Sequence, residues 1–147
     1  MAPLSVQYVY RMVLPKQWDL ISEDWTAAFA LRDSEEGLSV YCCNTVDAAG
    51  VLAKWATACL ARRADDPKKQ QRWIRDNGAT PDEMVSLGYR VIRLHVDEFK
   101  SRGFRLSQVD ADGHLEIFPA DQTETERERF LLFAPTWSSL ATRVLPP

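Results

Sequence analysis

A single charge, Arg11, interrupts the apolar run at residues 6–14 (VQYVYRMVL). A guanidinium inside a strand is costly unless its fork meets a carboxylate, a phosphate or main-chain carbonyls. Two readings follow: an ion pair with Asp97, Glu98 or Glu116, or a clamp for an anion at the mouth of a cleft. Other chemistry-bearing residues are sparse. His95 and His114, with Cys42, Cys43 and Cys59, lack zinc-site spacing. Adjacent cysteines on a strand also point to opposite faces, so Cys42 and Cys43 are expected to be reduced thiols. A serine or cysteine nucleophile needs one of the two histidines, and Cys42 or Cys43 with His95 and Asp97 is one arrangement the order of residues permits. No Gly-x-Ser-x-Gly, P-loop, Gly-x-Gly-x-x-Gly or His-Glu-x-x-His motif is present. Asp110 and Asp112 before Gly113 lack the third loop ligand of a calcium site and read as a turn. No metal is expected.

Charge is segregated along the chain. Residues 54–75 carry Lys54, Arg62, Arg63, Lys68, Lys69, Arg72 and Arg75 against Asp65 and Asp66, although the whole chain has a net charge of −3. Residues 110–128 carry Asp110, Asp112, Glu116, Asp121, Glu124, Glu126 and Glu128 against Arg127. Such separation steers a protein toward a charged partner or toward a second copy of itself. Tryptophan is abundant. Trp55 and Trp137 fit a core, whereas Trp18 and Trp25 fall in a polar, irregular segment and Trp73 on a charged helix. These last three are expected either to be half exposed, since tryptophan is enriched at binding hot spots, or to cap the edge of a small core. With Lys68, Lys69 and Arg72 they form the expected partner-binding set. Trp55 and Trp73 among the cations also allow base stacking beside phosphate contacts, although the acidic balance weighs against nucleic acid.

The elements that must position these residues can be read locally. Residues 6–14, 38–43, 89–96, 104–109 and 114–118 read as strands, and residues 28–31 as a short additional one. In 89–96, Val91 and Arg93 fall on one face and Ile92 and Leu94 on the other. A helix over 46–63, capped by Asn44 or Thr45, places Ala48, Leu52, Trp55 and Cys59 on one face. Asp66 before Pro67 starts a polar helix over 67–76, which Asn77-Gly78 stops. Thr80-Pro81-Asp82-Glu83 is a capping box with proline at the first helical position. Thr123 with Glu126 opens a helix over 124–133, where residues 130–133 are equally compatible with a strand. Thr136 is expected to cap a last helix over 137–145. The turn Asp110-Ala111-Asp112-Gly113 predicts a hairpin.

Tyr10-Arg11 on a first strand, followed by Gly37-Leu38-Ser39-Val40-Tyr41 leading into a helix, resembles the start of ADP-ribosyltransferase-like domains, including RES-type toxins. The resemblance implies that Arg11 holds NAD, that Ser39 and Tyr41 shape the pocket, and that Glu116 in His114-Leu115-Glu116 is the catalytic acid. No glycine-rich NAD loop accompanies it. The longer string Tyr10-Arg11, Trp25-Thr26-Ala27-Ala28-Phe29 and Glu36 to Tyr41 is similar to small bacterial proteins of unassigned function, which implies origin and size rather than activity.

At 147 residues with 46% hydrophobic content, one domain spanning 1–147 is expected, long enough to bury a core and too apolar for disorder. The expected architecture is α+β, with about five mostly antiparallel strands and about four helices. Residues 1–5 show no secretory pattern and no run suits a membrane span, so a cytoplasmic location is expected. The leading functional expectation is a non-catalytic binding or accessory protein acting through protein–protein contacts, with no cofactor. The alternatives are an NAD-using ADP-ribosyltransferase-like domain and nucleic-acid binding through 54–75.

Overall fold

The computed structural model describes residues 7–18 and 23–147. Residues 1–6 and 19–22, including the start of the first expected strand and part of the polar, irregular segment between Trp18 and Trp25, lie outside them. The chain forms an α+β fold around one antiparallel sheet. Its strands are β1 (Tyr8–Val13), β2 (Leu38–Cys42), β3 (Arg90–His95), β4 (Arg105–Gln108), β5 (His114–Phe118) and β6 (Thr142–Leu145), in the spatial order β4-β5-β2-β1-β3-β6. The helices are α1 (Ala48–Ala61), α2 (Pro67–Asn77), α3 (Pro81–Ser86), α4 (Asp97–Lys100), α5 (Glu124–Leu132) and α6 (Ala134–Leu140). No helix among the described residues is long and apolar enough to cross a membrane.

Both faces of the sheet are covered. Alternation in β2 sends Leu38, Val40 and Cys42 to one face, with Val9 and Val13 of β1, Ile92 and Leu94 of β3 and Leu115 and Ile117 of β5. That face packs on Phe29, Phe99, Phe104, Phe130 and the fully buried Trp137. The other face carries Tyr10, Met12, Tyr41 and Val91, covered by α1 through Val51, Leu52 and Cys59, with Trp73 and Met84 from α2 and α3.

Local chemistry explains the helix starts. Asp66 accepts from the amides of Lys68 and Lys69 ahead of Pro67, and Thr80 accepts from Glu83 at 3.3 Å. Thr123 does the same for Glu126 at 3.3 Å. Residues 130–132 are helical, completing α5. Other expectations are corrected. Helix α1 is capped by Asp47, which accepts from Gly50 at 2.6 Å, because the amides of Thr45 and Val46 are committed to a turn on the Cys42 carbonyl. Residues 28–31 give no strand. Thr26–Phe29 is a 3-10 turn, set by Asp24 accepting from Thr26 and burying Ala28 and Phe29. The expected helix over 137–145 is instead α6 followed by β6. Pro135 stands in the first turn, Thr136 lies within the helix, and the segment after Leu140 pairs with the outer edge of β3 across a bulge.

Candidate functional site

Strands β1 and β2 pair only at Val9 with Cys42 and Tyr10 with Tyr41. Beyond Tyr10 the register ends, and Arg11 occupies the resulting gap. Its Nε donates to the carbonyl of Ala28 at 3.0 Å and its Nη1 to the carbonyl of Ser39 at 2.7 Å. The expected ion pair is therefore corrected. Asp97 approaches His95 at 3.6 Å and Glu98 pairs with Arg102 at 2.8 Å, while Arg11 is fixed by main-chain oxygens. Carbonyl dipoles satisfy hydrogen-bonding directions without neutralising the charge. Although part of the Arg11 side chain remains at the surface, its guanidinium is enclosed. Burial brings its pKa down from the ordinary guanidinium range to about 10, opposed by Glu35 and Tyr41 and assisted by Arg32.

Arg11 lines a cavity of about 400 Å³ between β1, β2 and α1, within the usual size range of small-molecule sites. Arg32, Lys54 and Arg62 join it there, against the carboxylates of Glu35 and Asp110. Arg32 lies at the rim, 3.8 Å from Glu35. Tyr41 and Trp55 supply aromatic surface, and Arg62 stacks over Trp55 at 5.7 Å from the ring centre. The Tyr41 hydroxyl is pushed up by burial, with Arg11 opposing.

Ser39 and His114 complete the polar wall. The β2–β5 register sets Ser39 opposite Glu116 and Tyr41 opposite His114, so Ser39 and His114 are diagonal neighbours. His114 Nε2 lies 3.1 Å from Ser39 Oγ, and its ring stacks on Tyr41 with centroids 5.3 Å apart. On the other side of the imidazole, Nδ1 is 3.9 Å from Asp110 Oδ2. Burial acts to raise the Asp110 carboxyl, but amides of Asp112 and His114, with the charges of His114 and Lys54, hold it below the ordinary carboxylate range. Ser39 is among the residues the ADP-ribosyltransferase resemblance selects, but its partners His114 and Asp110 are not apparent from that resemblance. The only local signal was Asp110 and His114 four residues apart across the hairpin turn.

Of the residues that the ADP-ribosyltransferase resemblance selects, Arg11, Ser39 and Tyr41 line this one cavity. Glu116 sits beside Ser39 by register, one strand further out. The other expected residues do not gather there. Trp25 and Trp73 are 3% and 8% exposed, which corrects the half-exposed reading of these two and agrees with the core-edge alternative. Trp25 packs in the main core, and Trp73 turns in toward α1 and Met84. Trp18 is half buried. Its indole donates to the Gly88 carbonyl at 2.8 Å, lies against Trp25, and carries the Arg90 guanidinium 4.5 Å from its ring centre. Lys68, Lys69 and Arg72 are exposed on α2. Of the two indoles expected to stack bases in 54–75, Trp73 is enclosed, whereas Trp55 is half buried and lines the cavity.

Cys42 is buried in the apolar core, and Tyr8 stands between His95 on β3 and the Cys43 amide just past the end of β2. Burial pushes the Cys43 thiol up, away from thiolate character. Among the described residues no group of three or more histidine, cysteine, aspartate or glutamate side chains is placed to hold a metal. The chain matches no protein-family model, no curated protein and no solved structure.

Proposed function

We propose that this chain is a binding domain for a small anionic ligand, taken up in the cavity between β1, β2 and α1. The observation that carries this reading is Arg11, whose described hydrogen bonds go to two carbonyls and leave its charge to be balanced across the cavity. Arg32, Lys54 and Arg62 against Glu35 and Asp110 leave the lining cationic, and Tyr41 with Trp55 suits a planar group beside the anion. A pyrophosphate attached to an aromatic ring has this chemistry, so NAD and ADP-ribose are specific candidates. The shared position of Arg11, Ser39 and Tyr41 supports testing NAD first, with Glu116 as the acid the resemblance implies.

The test is thermal unfolding with millimolar inorganic pyrophosphate, ADP-ribose or NAD. A ligand held only by the native state, at about a hundredfold its Kd, adds roughly 2.7 kcal/mol, which is several degrees at this size. The shift is expected in the natural chain and lost in Arg11→Lys, because an ammonium cannot reproduce the guanidinium fork. No shift with any of the three ligands refutes the proposal for phosphate-bearing ligands.

A second reading is association with an acidic protein surface, favoured by the exposure of Lys68, Lys69 and Arg72 together on α2. It needs no cofactor and suits an accessory role. Light scattering and pull-downs at increasing salt, with the three residues changed to Glu, distinguish it from the cavity reading.

A further inference from the structure

Three side chains at one end of the cavity are ordered as a proton relay. Ser39 Oγ meets His114 Nε2 at 3.1 Å, and His114 Nδ1 faces Asp110 Oδ2 at 3.9 Å. A carboxylate beside Nδ1 favours the tautomer with its proton on that nitrogen, which leaves the Nε2 lone pair for the serine hydroxyl. This is the order of roles in serine acyl-transfer sites, where function follows geometry and not position in the chain. The 3.9 Å separation is long, as such contacts often are before substrate arrives. The Tyr41 ring stacked on the imidazole limits its rotation. All four side chains open on the same cavity.

We propose that Ser39 is a nucleophile activated by His114, with Asp110 as the positioning residue, and that the site transfers or hydrolyses the acyl group of a small ester bearing a carboxylate or phosphate. The substrate class rests on the anionic-ligand reading of the cavity, because Arg11, Arg32, Lys54 and Arg62 would hold the anionic part. Ser39 Oγ bonds to the carbonyl carbon as its proton passes to His114 Nε2. The tetrahedral intermediate then collapses, the bond to the leaving oxygen breaks, and His114 returns the proton to the departing alcohol. Water, giving a proton to the same Nε2, attacks the acyl-serine and releases the acid and the free Ser39 hydroxyl.

Diisopropyl fluorophosphate tests the nucleophile directly. Attack by Ser39 forms a phosphorus–oxygen bond, expels fluoride and adds a mass that peptide mapping locates. Labelling at Ser39 of the natural chain is expected, about a hundredfold slower in His114→Gln. Mapping on the natural chain keeps the result readable even if Ser39→Ala misfolds. Long-range proton–nitrogen NMR reads the positioning role: the His114 proton should sit on Nδ1 and move to Nε2 in Asp110→Asn. Protein-dependent release of 4-nitrophenolate, after subtraction of the spontaneous rate that the succinate's own carboxylate accelerates, should be faster from 4-nitrophenyl hydrogen succinate than from the uncharged butyrate ester. Absence of Ser39 labelling, unchanged labelling in His114→Gln, or a proton resting on Nε2 in the natural chain overturns the relay. Equal ester rates overturn the substrate class. A pyrophosphate-induced thermal shift that survives any of these outcomes shows that the cavity binds anions without this chemistry, so the two proposals fail separately.

Discussion

Arg11 Nη1 lies 2.7 Å from the carbonyl oxygen of Ser39, which fixes an enclosed guanidinium to the strand that carries the cavity's hydroxyl. The lowering of its pKa to about 10 sets a cost on the order of 3 kcal/mol against the charged form. Replacement by Met removes that cost but leaves the carbonyls of Ala28 and Ser39 each short of a donor, at about 1 kcal/mol or more apiece. Arg11→Met is therefore expected to unfold in urea within about 1 kcal/mol of the natural chain, while losing every ligand-induced shift. A loss well beyond about 3 kcal/mol would instead make Arg11 a structural residue.

Acid sensitivity has an identifiable contributor in Asp24. The Thr26 hydroxyl and amide donate to its Oδ1 at 2.6 and 2.9 Å and hold the carboxyl below 3.8, with Ser138 assisting. A carboxyl depressed on folding contributes stability that is present above its unfolded pKa and lost as pH falls through its folded one. Asp24→Asn should consequently flatten the fall in stability below about pH 4, measured by urea unfolding at about pH 6 and pH 2.5. An unchanged pH profile would dismiss this contribution.

Trp137 should be the most costly core position. It is fully buried among Phe29, Phe99, Phe104 and Phe130, and its indole donates to the Glu98 carbonyl at 3.1 Å. Trp137→Ala is expected to destabilise by about 3–5 kcal/mol, and Trp137→Phe by less, because it keeps an aromatic ring while forfeiting the hydrogen bond. Chemical denaturation of the two variants gives the comparison.

The α2–α3 junction depends on Gly78, at φ +83°. A Cβ there would come 2.9 Å from both the Glu83 Cβ and the Met84 amide nitrogen. Gly78→Ala should therefore cost more than about 1 kcal/mol, because the φ is strained and backbone must move as well. Thermal unfolding against Thr80→Ala, a simple cap loss of about 1 kcal/mol, places the effect on a scale.

Lys68 and Lys69 are exposed, so Lys68→Glu and Lys69→Glu should each leave stability within about 0.5 kcal/mol of the natural chain. Weakened association with an acidic partner, and a smaller salt dependence, would mark α2 as its docking face.

What could be read from the chain was local. Proline and hydroxyl or carboxylate caps at Asp66, Thr80 and Thr123 act within one helical turn, and their helices start where that chemistry places them. Arg11 was conspicuous as one charge in an apolar strand, but its acceptors depend on where β1 leaves β2 and on the turn that presents Ala28. Strand β6 was hidden because pairing with β3, not local preference, ends the last helix at Leu140. The burial of Trp25 and Trp73 is undetermined by sequence for a related reason: a polar neighbourhood does not reveal which way one indole points.

Ser39 and His114 are separated by 75 residues, and their contact exists only while β5 lies against β2. Closing so long a loop carries an ordering cost that the packing of β5 on β2 must repay. The hairpin that delivers His114 and Asp110 has β4 as the outermost strand of the sheet. Fraying from that edge dismantles the relay while Arg11 and α1 keep their places, so hydrogen exchange in β4 and β5 measures how long the assembled site persists.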